Sequence, residues 1–206
     1  MALEVPDGPR REVERRLRAL RSELPPARWV DPANVHLTLV FLGAVDAAAS
    51  GPLATALEGA CAPHRPFTLR LAGGGTFPPG RPARVAWIGV DSQAADPAAH
   101  RAAEAGRGDL VGLQTSVAAA AAAALAGTAY EPESRPYHPH VTLARCSEPW
   151  PRSAAETFAA AFAGPLGEAF TAERAVLFES RQGRDGVRYL ETGSFPLRAA
   201  GGGQAA

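Results

Sequence analysis

The chain has 206 residues, 46% of them hydrophobic and 20% charged, which is the balance of an ordinary globular protein long enough to bury a sizeable core in one domain or two small lobes. Its 21 basic and 21 acidic residues cancel, and every basic one is arginine, so no global field draws it to a long polyanion. Two cysteines without a CxxC partner, Cys61 and Cys146, suggest neither a zinc knuckle nor a disulfide framework and fit a reducing cytoplasm; no apolar leader and no membrane-spanning run are expected.

In chain order, Met1 to Val5 reads as a short strand. Asp7 then stands where an N-cap starts a helix toward Leu24, with Val13, Leu17, Leu20 and Leu24 at helical spacing. After the Pro25-Pro26 break, Val35 to Leu42 alternates as a strand does, and Gly43 ends it. A helix over Pro52 to Ala60 precedes strands at Phe67 to Leu71 and Arg84 to Val90, joined by a Gly/Pro-rich loop from Gly73 to Pro82. Asp91 to Asp109 is polar, Ala-rich and without period, and reads as a mobile insertion before an alanine helix over Ala118 to Ala126. The approach Arg135-Pro136-Tyr137-His138-Pro139 leads into a strand from His140 to Ala144, and a helix follows over Ser153 to Phe162. Strands at Arg174 to Phe178, Gly186 to Leu190 and Ser194 to Leu197 close a single domain over 1–200, with 201–206 a disordered tail. Strands alternating with helices, but paired near the end, give an α+β or α/β reading.

Two tetrapeptides carry chemistry: His36-Leu37-Thr38-Leu39 and His140-Val141-Thr142-Leu143. Both fall inside expected strands, where residues two apart share a face, so each strand presents an imidazole with a hydroxyl while its apolar residues enter the core. With ten threonines in the chain, two such pairs among five histidines are a roughly 2% coincidence. An imidazole titrates near neutral pH, so two of them on opposite sides of a phosphate can work in opposite protonation states, one taking a proton while the other gives one. The two threonine hydroxyls would hold the non-bridging oxygens in line.

These motifs resemble those of the 2H phosphoesterases, and within them the RNA 2′,3′-cyclic phosphodiesterases once named 2′-5′ RNA ligases. The resemblance extends to Arg28-Trp29-Val30, Asn34 to Gly43, Phe77-Pro78 leading to Val85-Ala86-Trp87, Pro139 to Arg145, and Leu177-Phe178-Glu179-Ser180. It implies a bilobal α+β fold: a pseudo-symmetric pair of antiparallel-rich sheets with helices outside and a central cleft. It implies hydrolysis of RNA cyclic phosphate ends to 2′-phosphates without metal or organic cofactor, with His36 as proton donor, His140 as proton acceptor, and Thr38, Thr142 and Arg145 on the phosphate. Strand parity counted from His140 turns position 145 away from the cleft unless the strand ends or bulges there. The chain opens almost directly at Ala2-Leu3-Glu4, where the family has a complete strand with an aromatic residue; a missing edge strand would remove a base-stacking surface.

Other residues have plainer readings. His138 belongs on the rim, His64 and His100 on the surface, and Gly73-Gly74-Gly75 in a flexible turn without the GK[ST] of a phosphate loop. The three tryptophans read as core, with Trp29 and Tyr137 near enough to the motifs to line the cleft mouth. Alternatives to an RNA end are a small cyclic nucleotide, an ADP-ribose cyclic phosphate, or a nucleotide- or RNA-binding module without turnover. No membrane or protein partner is expected, and the chain reads as a cytoplasmic monomer.

Overall fold

The computed structural model describes residues 1–80, 82–90, 97–183 and 186–198, with backbone only over 97–107 and at 186. Among the described residues, nine strands and four α-helices follow in chain order: β1 (Ala2–Glu4), α1 (Asp7–Leu20), β2 (Ala27–Trp29), β3 (His36–Thr38), α2 (Ala47–Cys61), β4 (Phe67–Phe77), β5 (Ala83–Val90), α3 (Pro97–Ala124), β6 (His140–Trp150), α4 (Arg152–Ala161), β7 (Pro165–Ala172), β8 (Arg174–Gly183) and β9 (Gly186–Pro196). The strands form an antiparallel path in the order β7-β4-β5-β6-β3-β1-β8-β9, and β2 adds to the free part of the β6 edge. The expected α+β class is present, with the expected pair of sheets joined into one continuous antiparallel sheet whose halves, β7-β4-β5-β6 and β3-β1-β8-β9, meet where Leu37 pairs with Val141. Each half contributes its inner edge strand to the join, and those two strands are the ones that carry the motifs.

Apolar burial at two periods fixes these elements. On α1 the residues Val13, Leu17 and Leu20 are buried, one face at helical spacing, and the helix packs on β7 and α4. Arg16 donates from its guanidinium to the Ala161 and Pro165 carbonyls at 3.2 and 3.3 Å, satisfying backbone at the end of α4 and the start of β7. On α3 the buried set is Leu110, Leu113, Val117 and Ala121, continued by Leu125 just beyond it, and it packs on α2 and β4.

Several expectations change. Positions 97–109 are not an aperiodic insertion but the first turns of α3; alanine offers so little contrast between faces that the helical period shows only from Leu110 onward. Positions 91–96 and 201–206 lie outside the described residues, as does the His100 side chain. Gly73 to Phe77 is strand, not loop, since β4 runs on to Phe77 across a bulge between Ala72 and Gly74. The strand expected over 35–42 is only His36–Thr38, and β2 and β7, unforeseen, are a three-residue strand and a Gly-containing one. The final two expected strands are one, β9. β1 is no missing edge: three residues suffice because both its sides are paired, to β3 and to β8. His64 is half-buried, its Nε2 3.0 Å from the Ser116 hydroxyl, across the α2–α3 contact.

Candidate active site

The antiparallel pairing of Leu37 with Val141 organises everything around it. Both residues are buried, at 1% and 0% exposure, so their neighbours on each strand face the other way. Continuing that register sets His36 across from Thr142 and Thr38 across from His140. The four motif side chains thus occupy the corners of a square on one face, imidazoles on one diagonal and hydroxyls on the other. Such a diagonal is about 7–8 Å on an antiparallel pair, enough for a phosphate to sit between the two rings.

Both imidazoles are held the same way. The Nδ1 of His36 lies 2.7 Å from the Asn34 carbonyl, and the Nδ1 of His140 lies 2.7 Å from the His138 carbonyl. A carbonyl only accepts, so each Nδ1 carries a proton and each Nε2 is the ring nitrogen left able to exchange one. Local sequence builds both acceptors. Asp31 accepts from the Ala33 N–H at 2.8 Å and caps the short turn Pro32–Asn34, which presents the Asn34 carbonyl; Pro139 holds the extended step that presents that of His138. Tyr137 joins the two motifs by donating its hydroxyl to the Thr38 carbonyl at 3.0 Å.

Aromatic rings wall each imidazole. His36 packs edge-on to Tyr189 at 4.9 Å, with Phe178 at 5.8 Å. His140 packs edge-on to Phe77 at 5.1 Å, with Trp87 at 6.1 Å. Tyr189, Phe77 and Trp87 were not foreseen as site residues. Trp87 shows its place only through register, opposite Thr142. Exposed His138, a rim residue as expected, stands edge-on to Trp87 at 4.7 Å. Trp29 does not line the cleft: it pairs with Ala144 on the core side, packs on Trp150 at 6.0 Å and carries Arg21 over its ring at 5.3 Å.

A cleft of about 870 Å³ opens on this face, within the range of small-molecule sites. His36, Thr38, Thr142 and Arg145 line it, and Phe41 stands at its rim with 81% of its surface exposed. His140 does not line that cavity; it is half-buried, two residues before Thr142 on the same face of β6. Arg145 reaches the cleft because β6 bulges: Ala86 pairs with Ala144 but Trp87 pairs with Thr142, which leaves Leu143 as an extra residue. Leu143 and Ala144 are both buried, so the alternation slips by one and position 145 returns to the cleft face. Among the described residues, no three His, Cys, Asp or Glu side chains are grouped closely enough to hold a metal ion, and no helix is long and apolar enough to cross a membrane.

Burial lowers the His36 pKa from its ordinary value; the Asn34 carbonyl opposes that shift and the N-terminal ammonium adds to it. The unfolded chain then holds this proton more tightly than the folded one, so the His36 contribution to stability is full above about pH 6.5 and declines as pH falls toward the folded pKa. An NMR titration of the ring is expected to give a midpoint below about 6.5 in the free protein and a higher one with a nucleoside 2′-phosphate bound, since a phosphate dianion favours the imidazolium. A midpoint that does not move on binding would place the phosphate away from His36.

The description "LigT like Phosphoesterase" fits this chain over residues 4–87 and 112–189. A Geobacillus stearothermophilus protein named RNA 2′,3′-cyclic phosphodiesterase is 34% identical over 124 residues, 60% of this chain and 34% of that one. One of the same name from Aeropyrum pernix is 35% identical over 123 residues, 58% and 57% of the two chains. The match thus spans about a third and just over half of these relatives' length. Among solved structures, a protein of Thermus thermophilus superposes with TM-score 0.72 at 24% identity, covering 97% of both chains, and shares the fold. Escherichia coli LigT complexed with 3′-AMP superposes with TM-score 0.68 at 25% identity, covering 95% of both. With the paired motifs on adjoining strands and a family description that fits most of its length, this chain belongs to the LigT-like phosphoesterases of the 2H superfamily.

Proposed function

We propose that this chain hydrolyses the 2′,3′-cyclic phosphate at an RNA end to a 2′-phosphomonoester, using His36 and His140 as a metal-free acid–base pair. The observation that carries this reading is the square of His36, Thr142, His140 and Thr38 implied by the Leu37–Val141 register, with both Nδ1 atoms engaged by carbonyls. His140, the more open of the two, takes a proton from water as the oxygen attacks phosphorus. His36 gives its proton to the departing 3′ oxygen as the P–O3′ bond breaks, leaving the phosphate on the 2′ oxygen. Burial keeps free His36 neutral to lower pH, and the incoming phosphate charge restores the protonated form that this role needs. Thr38, Thr142 and Arg145 hold the non-bridging oxygens, where a guanidinium gives several charged donors in one plane. Phe41, exposed at the rim, offers a ring for a nucleobase to stack on. A 5′-hydroxyl in place of water gives 2′-5′ joined ends by the same displacement.

A second reading, a small cyclic nucleotide as substrate, is favoured by the 3′-AMP complex of Escherichia coli LigT. The test is hydrolysis in EDTA of a short RNA and of a mononucleotide, each ending in a 2′,3′-cyclic phosphate, with the 2′- and 3′-phosphate products resolved. The expected result is 2′-phosphate from the RNA at an undiminished rate in chelator. A 3′-phosphate product, or activity abolished by EDTA, overturns the mechanism; turnover of the mononucleotide alone selects the second reading.

A further inference from the structure

Arg28 and Arg145 are direct register partners on β2 and β6. Partners on antiparallel strands share a face, with Cβ atoms about 4.5–5.5 Å apart, and like charges so placed destabilise the pair. Both side chains are exposed, and neither makes an ion pair or side-chain hydrogen bond among the described residues, whereas Arg16 and Arg174 each find carboxylates. Two cations side by side with no carboxylate between them form a site for an anion.

The face they share is that of the cleft. Arg145 lines the cavity, and so does Val30, two residues beyond Arg28 and therefore on its side of the strand. Arg28 itself lies outside the cavity lining. The Arg28–Arg145 row is separated from Thr142 by two intervening residues of β6, one of them the extra residue of the bulge, which is about 7–10 Å along a strand. That is a distance one nucleotide unit covers.

We propose that Arg28 binds the phosphodiester on the 5′ side of the terminal nucleotide, so that the site takes single-stranded oligonucleotides in preference to mononucleotides. The proposal rests on the hydrolase reading above and names its substrate class. A mononucleotide held in the cavity has no phosphate at this position, whereas an oligonucleotide places one beside both guanidiniums, with Arg145 shared between it and the reacting group.

The experiment compares wild type, Arg28→Gln and Arg28→Lys on a nucleoside 2′,3′-cyclic phosphate and on a trinucleotide with the same end, over a series of salt concentrations. Arg28→Gln is expected to leave kcat/KM on the mononucleotide unchanged and to lower it about 5- to 10-fold on the trinucleotide, the loss of roughly one charge-assisted contact. It is also expected to flatten the log–log salt dependence of the trinucleotide reaction by about 0.7, the slope for one phosphate of a single strand; Arg28→Lys keeps that slope. Equal losses on both substrates, or no loss on either, overturn the proposal. Should wild type turn over neither substrate, the hydrolase reading fails instead, and anisotropy of a labelled trinucleotide 2′-phosphate over the same salt series still tests Arg28, an unchanged slope in Arg28→Gln overturning it.

Discussion

Replacing either His36 or His140 by alanine is expected to lower turnover of a 2′,3′-cyclic phosphate end by about 10²- to 10⁴-fold, the contribution of one positioned proton-transfer group. In the proposed mechanism the two residues act on one displacement, the first by giving the departing oxygen a proton and the second by removing one from water. Their effects therefore do not add, and the double variant falls little below the worse single one. Folding survives, because neither imidazole belongs to the core. His36 leans on Tyr189 and Phe178, and His140 on Phe77 and Trp87, contacts that alanine loses without burying a polar group. Circular dichroism with steady-state kinetics on each variant is the check. An unchanged rate in either folded single variant removes that histidine from the chemistry.

Gly75→Ala is expected to cost about 1–3 kcal/mol of stability, the range for overpacking, and to depress turnover as well. A Cβ at Gly75 would lie 2.2, 2.3 and 2.7 Å from three atoms of the Trp87 indole, so the ring must leave its place across β4. That ring stands opposite Thr142 and beside His138 and His140, so moving it loosens the wall that fixes the His140 imidazole. Gly74→Ala is the control. Its Cβ would meet Phe162 Cβ at 2.9 Å and Ala159 Cα at 3.0 Å, on the α4 side of the sheet, so it destabilises the packing of α4 without touching the site. Thermal unfolding should show both losses, while kcat per folded molecule should fall in Gly75→Ala alone. Equal kcat in the two variants would falsify the role given to Trp87.

The triple glycine shows why part of this site was invisible in the sequence. Read locally, Gly73-Gly74-Gly75 is a turn, because glycine has little to gain in a strand. In the fold Gly74 lies under α4 and Gly75 under the Trp87 ring, so neither position admits a Cβ, while Gly73 sits in the bulge at a φ of +75° that favours glycine. β2 and β7 are hidden for other reasons: β2 is three residues long, β7 breaks its apolar positions with Gly167 and Glu168, and both extend edges that β6 and β4 offer.

The candidate chemistry was legible in the sequence: a histidine and a threonine two apart on a strand share a face, and two such motifs in one chain offer the two imidazoles and two hydroxyls that the proposed acid–base mechanism needs. The sequence also determined the major helices and the α+β class, since burial periodicity is a local property. Tertiary structure decided what depends on register and on distant neighbours. It set the antiparallel join at Leu37 and Val141 that crosses the two imidazoles, and the aromatic walls drawn from β4, β5, β8 and β9. It also set the bulge at Leu143. Parity counted along β6 turns Arg145 away; one extra residue, held by the burial of both Leu143 and Ala144, turns it back. No pattern within β6 encodes that slip, because it is the pairing with β5 that selects it.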